Sequence, residues 1–137
     1  MLKKEALRLI DANFNRLKEG LRVCEDILRF VYDDRSLTSS FKKLRHSCSK
    51  ILIGFPVSYR VLVTMRNAEH DVGKDSLILE KKKPNWNDLL VSNLKRAEES
   101  LRVLEEASKI IAPGKCRSFQ SLRFKLYELE KRVFKKF

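Results

Sequence analysis

The sequence lacks a paired cysteine motif and a long apolar run. Its three cysteines, Cys24, Cys48 and Cys116, are an odd number, lie far apart and form no C-x-x-C pair. This spacing argues against a disulfide framework and a zinc site, and it favours a reducing, cytoplasmic location. Because no uncharged stretch approaches the ~18 residues of a membrane span, neither membrane insertion nor secretion is predicted.

Familiar catalytic motifs are missing as well. There is no G-x-x-x-x-G-K-[ST] loop, no G-x-G-x-x-G after a strand and no H-E-x-x-H, and only two histidines, His46 and His70, are present. The sequence is therefore poorly supplied for a nucleophilic triad. A nucleotide site in this chain would be of an unusual type.

The charge is strongly basic. Thirty Lys and Arg residues against 18 Asp and Glu give a net charge of +12, which favours nucleic acid, an anionic membrane surface or a phosphorylated small molecule as partner. The basic residues are spread along the chain, and most aromatic residues are phenylalanines at core spacing, which disfavours a base-stacking platform. A diffusely basic surface without a specific partner explains the charge equally well.

A 15-residue pattern occurs twice, first at residues 13–27 and again 80 positions later at residues 93–107. The copies share both apolar and polar residues, in the order Asn, Arg, Glu, Leu, Arg, Val and Glu. A second match follows each copy, with residues 41–46 resembling residues 119–124. Since core packing alone would retain only the apolar positions, the pattern indicates a duplicated helix pair.

Hydrophobic periodicity predicts four main helices. They cover about residues 4–31, 40–53, 87–111 and 118–135. The sequence therefore predicts a single all-α domain, a helical bundle of two duplicated helix-pair halves related by a pseudo-two-fold axis. Repeat one spans about residues 4–53, the central loop insert about 54–86, and repeat two about 87–137.

The insert has no second copy. Residues 57–65 are rich in β-branched side chains and are predicted to be extended, and residues 66–74 are predicted to form a loop. Within that loop, Asp71 and Lys74 flank Gly73 in a D-V-G-K sequence that could present a carboxylate, backbone N–H groups and an ammonium to a phosphate. An ordinary turn explains the same four residues.

Polar residues fall within the apolar arcs of the helices. Asn13 and Arg16 lie inside the arc of the first helix, and Asn93 and Arg96 lie inside the arc of the equivalent helix. The glutamates three residues after these arginines, Glu19 and Glu99, sit at the edges of the arcs. Arg45 and Arg123 are surrounded by apolar positions on the following helices, so four arginines are predicted to point inward.

Inward arginines need partners, because an unpaired buried charge costs several kcal/mol. One interpretation is an internal network in which Arg16–Glu19 and Arg96–Glu99 pairs meet across the two-fold axis. The other is a cleft between the halves, where arginines bind phosphate oxygens and carboxylates hold Mg²⁺ or a substrate hydroxyl. Both can hold for different members.

Four more repeated charges lie on polar faces. Arg22 and Arg102 point to the centre of that face, so contact with another helix, the central loop or a partner subunit is needed to explain their repetition. Glu25 and Glu105, on the other polar flank, are predicted to be solvated carboxylates.

Several motifs together resemble a known family. They are D-A-N-x-N-R-x-x-E-G-L-R-V from Asp11, L-R-H from Leu44, Arg66 with D-V-G from Asp71, N-x-x-R-x-x-E-x-L-R-V-L-E-E from Asn93, and L-R with Y-x-L-E from Leu122. The chain resembles the small monofunctional hydroxymethylpyrimidine phosphate kinases, over about residues 8–131. The same module is found fused ahead of thiamine-phosphate synthase in some bacteria. A chain of 137 residues has no room for the synthase barrel, so the stand-alone form of the module is predicted.

The resemblance implies phosphorylation of hydroxymethylpyrimidine phosphate to the diphosphate with ATP and Mg²⁺ in thiamine biosynthesis. Phosphoryl transfer depends chiefly on positioning and charge neutralisation, and arginines and carboxylates suit both. Arg16, Arg96, Glu19 and Glu99 are accordingly expected to be catalytic. Phosphate and substrate binding is expected from a further set: Asn13, Asn93, Arg45, Arg123, Arg66, Asp71 and Gly73. Asp71, Glu19 and Glu99 are the expected Mg²⁺ ligands.

One position departs from the family pattern. Asp and Ser or Thr often follow the loop arginine, whereas Asn67 and Ala68 stand there in this chain.

Two other classes of function compete with the kinase. A non-enzymatic helical module that binds or regulates thiamine-phosphate synthase would use the polar pairs as architecture. A basic nucleic-acid binder would show affinity that falls steeply with salt, but inward arginines would serve it poorly, and neither nucleic acid nor membrane is expected as a partner. A homodimer is compatible with the sequence.

Overall fold

A computed structural model describes residues 4–75 and 85–137, and the regular structure in these ranges is helical throughout. Helix α1 runs Lys4–Asp26 and continues as a π-helical segment, Ile27–Val31. Helix α2 is Arg35–Ile53 and the short α3 is Tyr59–Thr64. Helix α4 is Trp86–Ile111, and a 3₁₀ turn, Pro113–Lys115, leads into α5, Cys116–Lys136. The all-α prediction is confirmed.

Side-chain caps fix where two of the long helices begin. Asp34 accepts a hydrogen bond from the Leu37 N–H at 2.9 Å and starts α2, and Asn85 accepts from the Asp88 N–H at 2.9 Å and starts α4. Such caps satisfy backbone donors that have no partner within the helix. Asp33, with φ of 50°, turns the chain between the π-helical segment and α2. Helix α2 thus begins at Arg35, ahead of its predicted start at about residue 40.

The segment predicted to be extended is helical instead. Residues Tyr59–Thr64 form α3, because the Ser58 hydroxyl accepts from the Val61 N–H at 3.3 Å and caps a helical turn. Leu62 is fully buried, whereas Val61 and Val63 are exposed, which is one buried face of a short helix. Residues 66–75 form turns, as predicted. The rest of the insert, up to residue 84, lies outside the described residues.

Four long helices close into a ring around one core. Helix α1 packs on α2 and α4, and α5 packs on the same two helices from the other side. Phe14, Phe41 and Phe119 are almost completely buried at its centre, and the rings of Phe14 and Phe119 meet edge to face at 5.6 Å. Helix α3 packs on α1, so the loop that follows α3 lies beside α1.

Cys24 and Cys48 belong to this core, as their apolar positions in the sequence indicate. Both are fully buried, and burial raises the pKa of the two thiols, that of Cys48 to about 12. The two thiols therefore behave as small apolar groups.

Helices α1 and α4 run antiparallel and approach most closely at Gly20. A Cβ at Gly20 would lie 3.1 Å from the backbone oxygen of Asn93 and 3.6 Å from Cβ of Ala97. Farther along, Cys24 contacts the Leu90 carbonyl. The close approach places Asn13 of α1 and Ser100 of α4 along the seam between the helices.

We expect Gly20→Leu to lower the free energy of unfolding by about 1–3 kcal/mol, because a larger side chain must push the two helix backbones apart. Urea denaturation followed by circular dichroism measures this change. Gly114→Leu is the matched control, since nothing lies within 4 Å of the Cβ position there. Equal losses in the two variants would show that the α1–α4 contact is not the cause.

Within residues 4–75 and 85–137, no helix is long and apolar enough to cross a membrane. The pseudo-two-fold relation between the halves stays a prediction, although the polar contacts described next recur at equivalent positions.

Candidate functional site

A buried carboxylate in the first half holds two arginines. Glu25 is 2% exposed and accepts hydrogen bonds from Arg45, through Nε at 3.0 Å and Nη2 at 3.4 Å. Arg22 reaches the same carboxylate with Nη1 at 3.4 Å, one helical turn away. The side chain of Arg45 is 15% exposed, and that of Arg22 is 53% exposed. A desolvated carboxylate requires such partners.

The second half repeats this cluster at the matching positions. Glu105 is 5% exposed and lies 2.9 Å from Nε and Nη2 of Arg123, with Nη1 of Arg102 at 4.0 Å. Arg123 also donates to the hydroxyl of Tyr127 at 3.1 Å. Glu105, and Tyr127 after it, raise the pKa of the Arg123 guanidinium. The repeated Arg and Glu residues therefore maintain one buried contact in each half.

Two predictions about burial are wrong. Glu25 and Glu105, predicted to be solvated, are buried, whereas Arg16 and Arg96, predicted to point inward, are exposed. The reason is that the buried carboxylates take their arginines from the neighbouring helices, so Arg45 and Arg123 satisfy the interior charge. No ion pair within the described chain joins Arg16 to Glu19 or Arg96 to Glu99.

The repeated asparagines make identical local contacts. The amide of Asn13 donates to the Leu9 carbonyl at 2.9 Å, and that of Asn93 donates to the Leu89 carbonyl at 2.9 Å. Each bond spans one turn of its own helix and leaves the amide oxygen of the side chain for another donor. Asn13 is 1% exposed.

The loop after α3 is tied to α1 by a bidentate ion pair. Nε and Nη2 of Arg66 donate to the two oxygens of Asp11 at 2.7 and 2.8 Å. The Asp11 carboxylate, and after it the Tyr59 hydroxyl, raise the pKa of Arg66 far above that of a free guanidinium. Asp11 is 3% exposed and also lies near the Asn15 amide. Arg66 is thereby held in place with part of its guanidinium still exposed.

A cavity of about 430 Å³ lies between α1 and this loop, and we call it the Arg66 cavity. Two arginines of α1, Arg8 and Arg16, line it together with Arg66. Asn13 and Asp71 complete the set of predicted site residues there. Glu5 and Asp11 lie in the same wall. Guanidinium groups at a concave surface suit phosphate oxygens, because they can donate two parallel hydrogen bonds.

A second cavity, of about 310 Å³, adjoins the first along the α1–α4 seam, and we call it the Arg96 cavity. Arg96 and Glu99 of α4 face Asn13 and Arg16 of α1 across it. Because Asn13 and Arg16 line both cavities, the two adjoin, and we call the pair of cavities the groove. Six of the predicted site residues therefore meet in this groove: Asn13, Arg16, Arg66, Asp71, Arg96 and Glu99.

A third cavity lies on the other flank of α1. It has a volume of about 530 Å³, and we call it the Arg45 cavity. Arg45 and Glu19 line it, while Asn15 lines both this cavity and the Arg66 cavity. Asn93, Arg123 and Gly73 line none of the three cavities.

The expected Mg²⁺ ligands are not gathered into a cluster. Asp71, Glu19 and Glu99 line three different cavities, and within the described residues no three His, Cys, Asp or Glu side chains form a metal-binding group. Mg²⁺ in phosphoryl-transfer sites is commonly held by one or two carboxylates together with the substrate phosphates. Asp71 fits that arrangement, since it lies beside three arginines at the cavity wall.

The D-V-G sequence folds as a turn. Oδ1 of Asp71 accepts the Gly73 N–H at 2.9 Å, and Nζ of Lys74 donates to the Glu69 carbonyl at 2.8 Å. The turn interpretation is thus correct for Gly73 and Lys74. The same turn holds Asp71 at the Arg66 cavity, and phosphate binding by this loop stays a prediction.

Sequence reasoning missed several residues of the groove. Arg8 and Asn15 line it, and Asp11 orients Arg66 by accepting hydrogen bonds from its guanidinium. Asp11 precedes the first copy of the repeat, and Val91 stands at the equivalent position before the second copy, so the repeat itself gives no signal for Asp11.

A carboxylate pair lies in the second half between α4 and α5. Lys95 bridges Glu98 at 3.2 Å and Glu130 at 3.0 Å, and Oε2 of Glu98 is a buried atom without a hydrogen-bond partner in the described chain. Burial, and next the neighbouring Glu130 carboxylate, raise the pKa of Glu98 to about 7.

This raised pKa predicts a pH-dependent stability. In the folded chain Glu98 retains its proton above its ordinary pKa of 4.5, so its contribution is complete below that pH and is lost as pH rises through about 7. We expect the free energy of unfolding to fall between about pH 5 and pH 8 and Glu98→Gln to reduce that fall. Urea denaturation at several pH values measures both slopes. Identical slopes in the two proteins would assign the pH dependence to other groups.

Comparison with known proteins identifies the family of the chain. The model of the ThiD2 family matches residues 8–132. A thiamine-phosphate synthase of Synechocystis sp. is 36% identical over 124 residues, and that of Thermosynechococcus vestitus is 33% identical over 124 residues. Each match covers 90% of this chain and 34% of the relative.

This chain therefore spans about a third of the length of the curated relatives it matches. No solved structure matches it. The match to the family model extends over nearly all of the 137 residues, from residue 8 to residue 132. On this evidence the chain belongs to the ThiD2 family.

Proposed function

We propose that this protein is a kinase of thiamine biosynthesis that transfers the γ-phosphoryl group of Mg·ATP to hydroxymethylpyrimidine phosphate. The observation that carries the proposal is the groove formed by the Arg66 and Arg96 cavities. Four arginines line it, Arg8, Arg16, Arg66 and Arg96, together with four carboxylates, those of Glu5, Asp11, Asp71 and Glu99. Asp11 is the one paired with Arg66. Positive groups held at a concave surface are what a transferring phosphoryl group requires.

The reaction requires little proton chemistry from the protein. An oxygen of the substrate monophosphate attacks the γ-phosphorus, the bond from that phosphorus to the β,γ-bridging oxygen breaks, and ADP leaves with the bond electrons. Because a phosphate monoester is largely dianionic at neutral pH, its second pKa being about 6, its oxygen needs no general base. The scarcity of histidine and the absence of a triad are compatible with this chemistry.

The residues of the groove have two roles in the proposed reaction, which are positioning and charge neutralisation. Arg66 is oriented by Asp11 and presents its remaining N–H groups to the Arg66 cavity. Arg16 and Arg96 reach the same stretch of the α1–α4 seam from opposite helices. Neither is paired with a neighbouring carboxylate in the described chain, so both are available to neutralise the charge of donor and acceptor phosphates. Asn13 can offer its amide oxygen to a ligand donor.

Asp71 would hold Mg²⁺ together with phosphate oxygens, and the ion when bound would neutralise charge on the transferring group. Glu99 is the carboxylate of the groove at the Arg96 cavity.

A coupled assay tests the proposal. The purified protein is incubated with Mg·ATP and hydroxymethylpyrimidine phosphate, and the diphosphate product is consumed by a separately purified thiamine-phosphate synthase. We expect turnover of the monophosphate and none of the unphosphorylated pyrimidine. A folded protein that shows no turnover of either compound contradicts the proposal.

A second candidate is a non-enzymatic module that binds or regulates thiamine-phosphate synthase. It is favoured by one finding, the similarity of this chain to about a third of proteins that carry that name. Under this function the synthase should bind the isolated chain and change its own rate without consumption of ATP. Sedimentation of the mixture together with the coupled assay separates the two candidates.

A further inference from the structure

The Arg45 cavity differs in chemistry from the groove on the other flank of α1. Three basic side chains, Lys18, Arg22 and Arg45, line it together with the rings of Phe14 and Tyr59. In the part of the chain that the structure describes, the wall of the groove has four arginines but no aromatic ring. An aromatic wall beside basic groups suits a ligand that is both planar and anionic.

Arg22 and Arg45 keep free N–H donors after they have paired with the buried Glu25. Its carboxylate accepts two N–H groups of Arg45 and one of Arg22, whereas each guanidinium carries five. Lys18 adds a third positive charge, and among the described residues Glu19 is the only acidic one in the cavity wall. The wall therefore keeps net positive charge after Glu25 has been satisfied.

The equivalent Arg–Glu cluster of the second half has different neighbouring residues. At the positions equivalent to Lys18 and Leu52, it has Glu98 and Glu130, which Lys95 bridges. Arg123 is further bonded to Tyr127 and is 9% exposed, compared with 15% for Arg45. The second copy is therefore more acidic, and its charged groups contact one another.

From these contrasts we infer that the Arg45 cavity of the first half binds an aromatic monophosphate, the acceptor of the proposed reaction, and that the equivalent cluster of the second half is structural. The inference rests on the proposed function and adds to it the location of the acceptor. The ring lies against Tyr59 and the phosphate lies toward Arg22, Arg45 and Lys18. Donor phosphates occupy the groove, across Asn15.

Two contacts connect the acceptor cavity with the groove. Asn15 lines both the Arg45 and the Arg66 cavities. The Tyr59 hydroxyl lies beside Arg66, so the residue against the acceptor ring also touches a guanidinium of the donor side. Asn15 and Tyr59 therefore lie at the boundary between the two cavities.

The duplication supplies a matched pair of variants for the test. Arg22 and Arg102 occupy equivalent positions, are 53% and 57% exposed, and each faces a buried glutamate three residues on. Any structural cost of Arg22→Met should therefore appear in Arg102→Met as well. Lys18→Met is the second variant of the cavity, and thermal unfolding confirms that all three proteins are folded.

Isothermal titration calorimetry with hydroxymethylpyrimidine phosphate, and separately with Mg·ATP, is the measurement. We expect Arg22→Met and Lys18→Met each to weaken binding of the pyrimidine phosphate by about tenfold or more. Arg102→Met should bind it within about twofold of the unchanged protein, and Mg·ATP affinity should change by less than about threefold in every variant.

Each alternative outcome overturns a distinct statement. If Arg22→Met and Lys18→Met bind the pyrimidine phosphate as tightly as the wild-type protein does, and turnover is intact, the acceptor does not bind in the Arg45 cavity. The kinase proposal would then still stand. Equal losses in Arg22→Met and Arg102→Met would show a structural effect and likewise overturn this location of the acceptor. If the unchanged protein binds no pyrimidine phosphate, the proposed function fails together with the inference.

Discussion

Replacing Glu105 with alanine is expected to lower the free energy of unfolding by about 3–5 kcal/mol, because it leaves a buried guanidinium without its carboxylate. Arg123 is 9% exposed and directs both Nε and Nη2 to Glu105 at 2.9 Å. Tyr127 would remain as its polar partner, but a neutral hydroxyl does not compensate a buried charge. Urea denaturation of both proteins at neutral pH measures the loss.

The equivalent change in the first half should cost less. In Glu25→Ala the stranded arginine is Arg45, whose side chain is 15% exposed and can recover hydration more readily. A larger loss in Glu25→Ala than in Glu105→Ala would contradict this explanation.

A double variant separates the loss of the ion pair from the loss of packing. When both Glu105 and Arg123 are replaced by methionine, no unpaired charge remains, and such replacements are often neutral or stabilising. We expect the double variant to recover most of the stability that Glu105→Ala loses. A double variant as unstable as the single one would show that packing around these side chains determines the loss.

The second large effect concerns turnover. On the proposed function, Arg16→Met and Arg96→Met should each lower kcat/KM by at least about a hundredfold, because each removes a charge-assisted donor to the transferring phosphoryl group. Both side chains are exposed at the Arg96 cavity, so stability should change by no more than about 0.5 kcal/mol. The coupled assay and urea denaturation measure the two quantities on the same preparations.

Arg117→Met is the control for this experiment, since Arg117 is an exposed arginine of α5 that lies outside the groove. Turnover should remain unchanged in that variant. Loss of folding in Arg16→Met or Arg96→Met would mean that these arginines are structural, and unchanged turnover would mean that the groove is not the site of transfer.

The sequence determined the helices with little help from tertiary contacts. Apolar residues at helical spacing and the capping side chains of Asp34 and Asn85 are local signals, and the structure has long helices where those signals are strong. Residues 57–65 show the limit of such signals. Their β-branched side chains favour an extended chain, but the Ser58 cap and the burial of Leu62 against the bundle form a helical turn there.

The repeat identified most of the groove but not which residues are buried. Asn13, Arg16, Arg96 and Glu99 are matched positions in the sequence, and the α1–α4 seam brings them together. A helical arc of about 200° cannot separate a residue facing the core from one at the edge of the seam between two helices. The arc therefore predicts Arg16 and Arg96 in the interior and Glu25 and Glu105 on the surface. Both predictions are wrong.

The sequence by itself determined the all-α fold, the internal repeat and the supply of arginines and carboxylates, because each is expressed in residues a few positions apart. Only the tertiary structure decided which arginine each carboxylate receives, that Asp11 orients Arg66, and that Glu98 and Glu130 replace an open basic cavity in the second half. Those pairings join residues far apart in sequence, and their energies depend on how much water the packing of the helices removes from each charge.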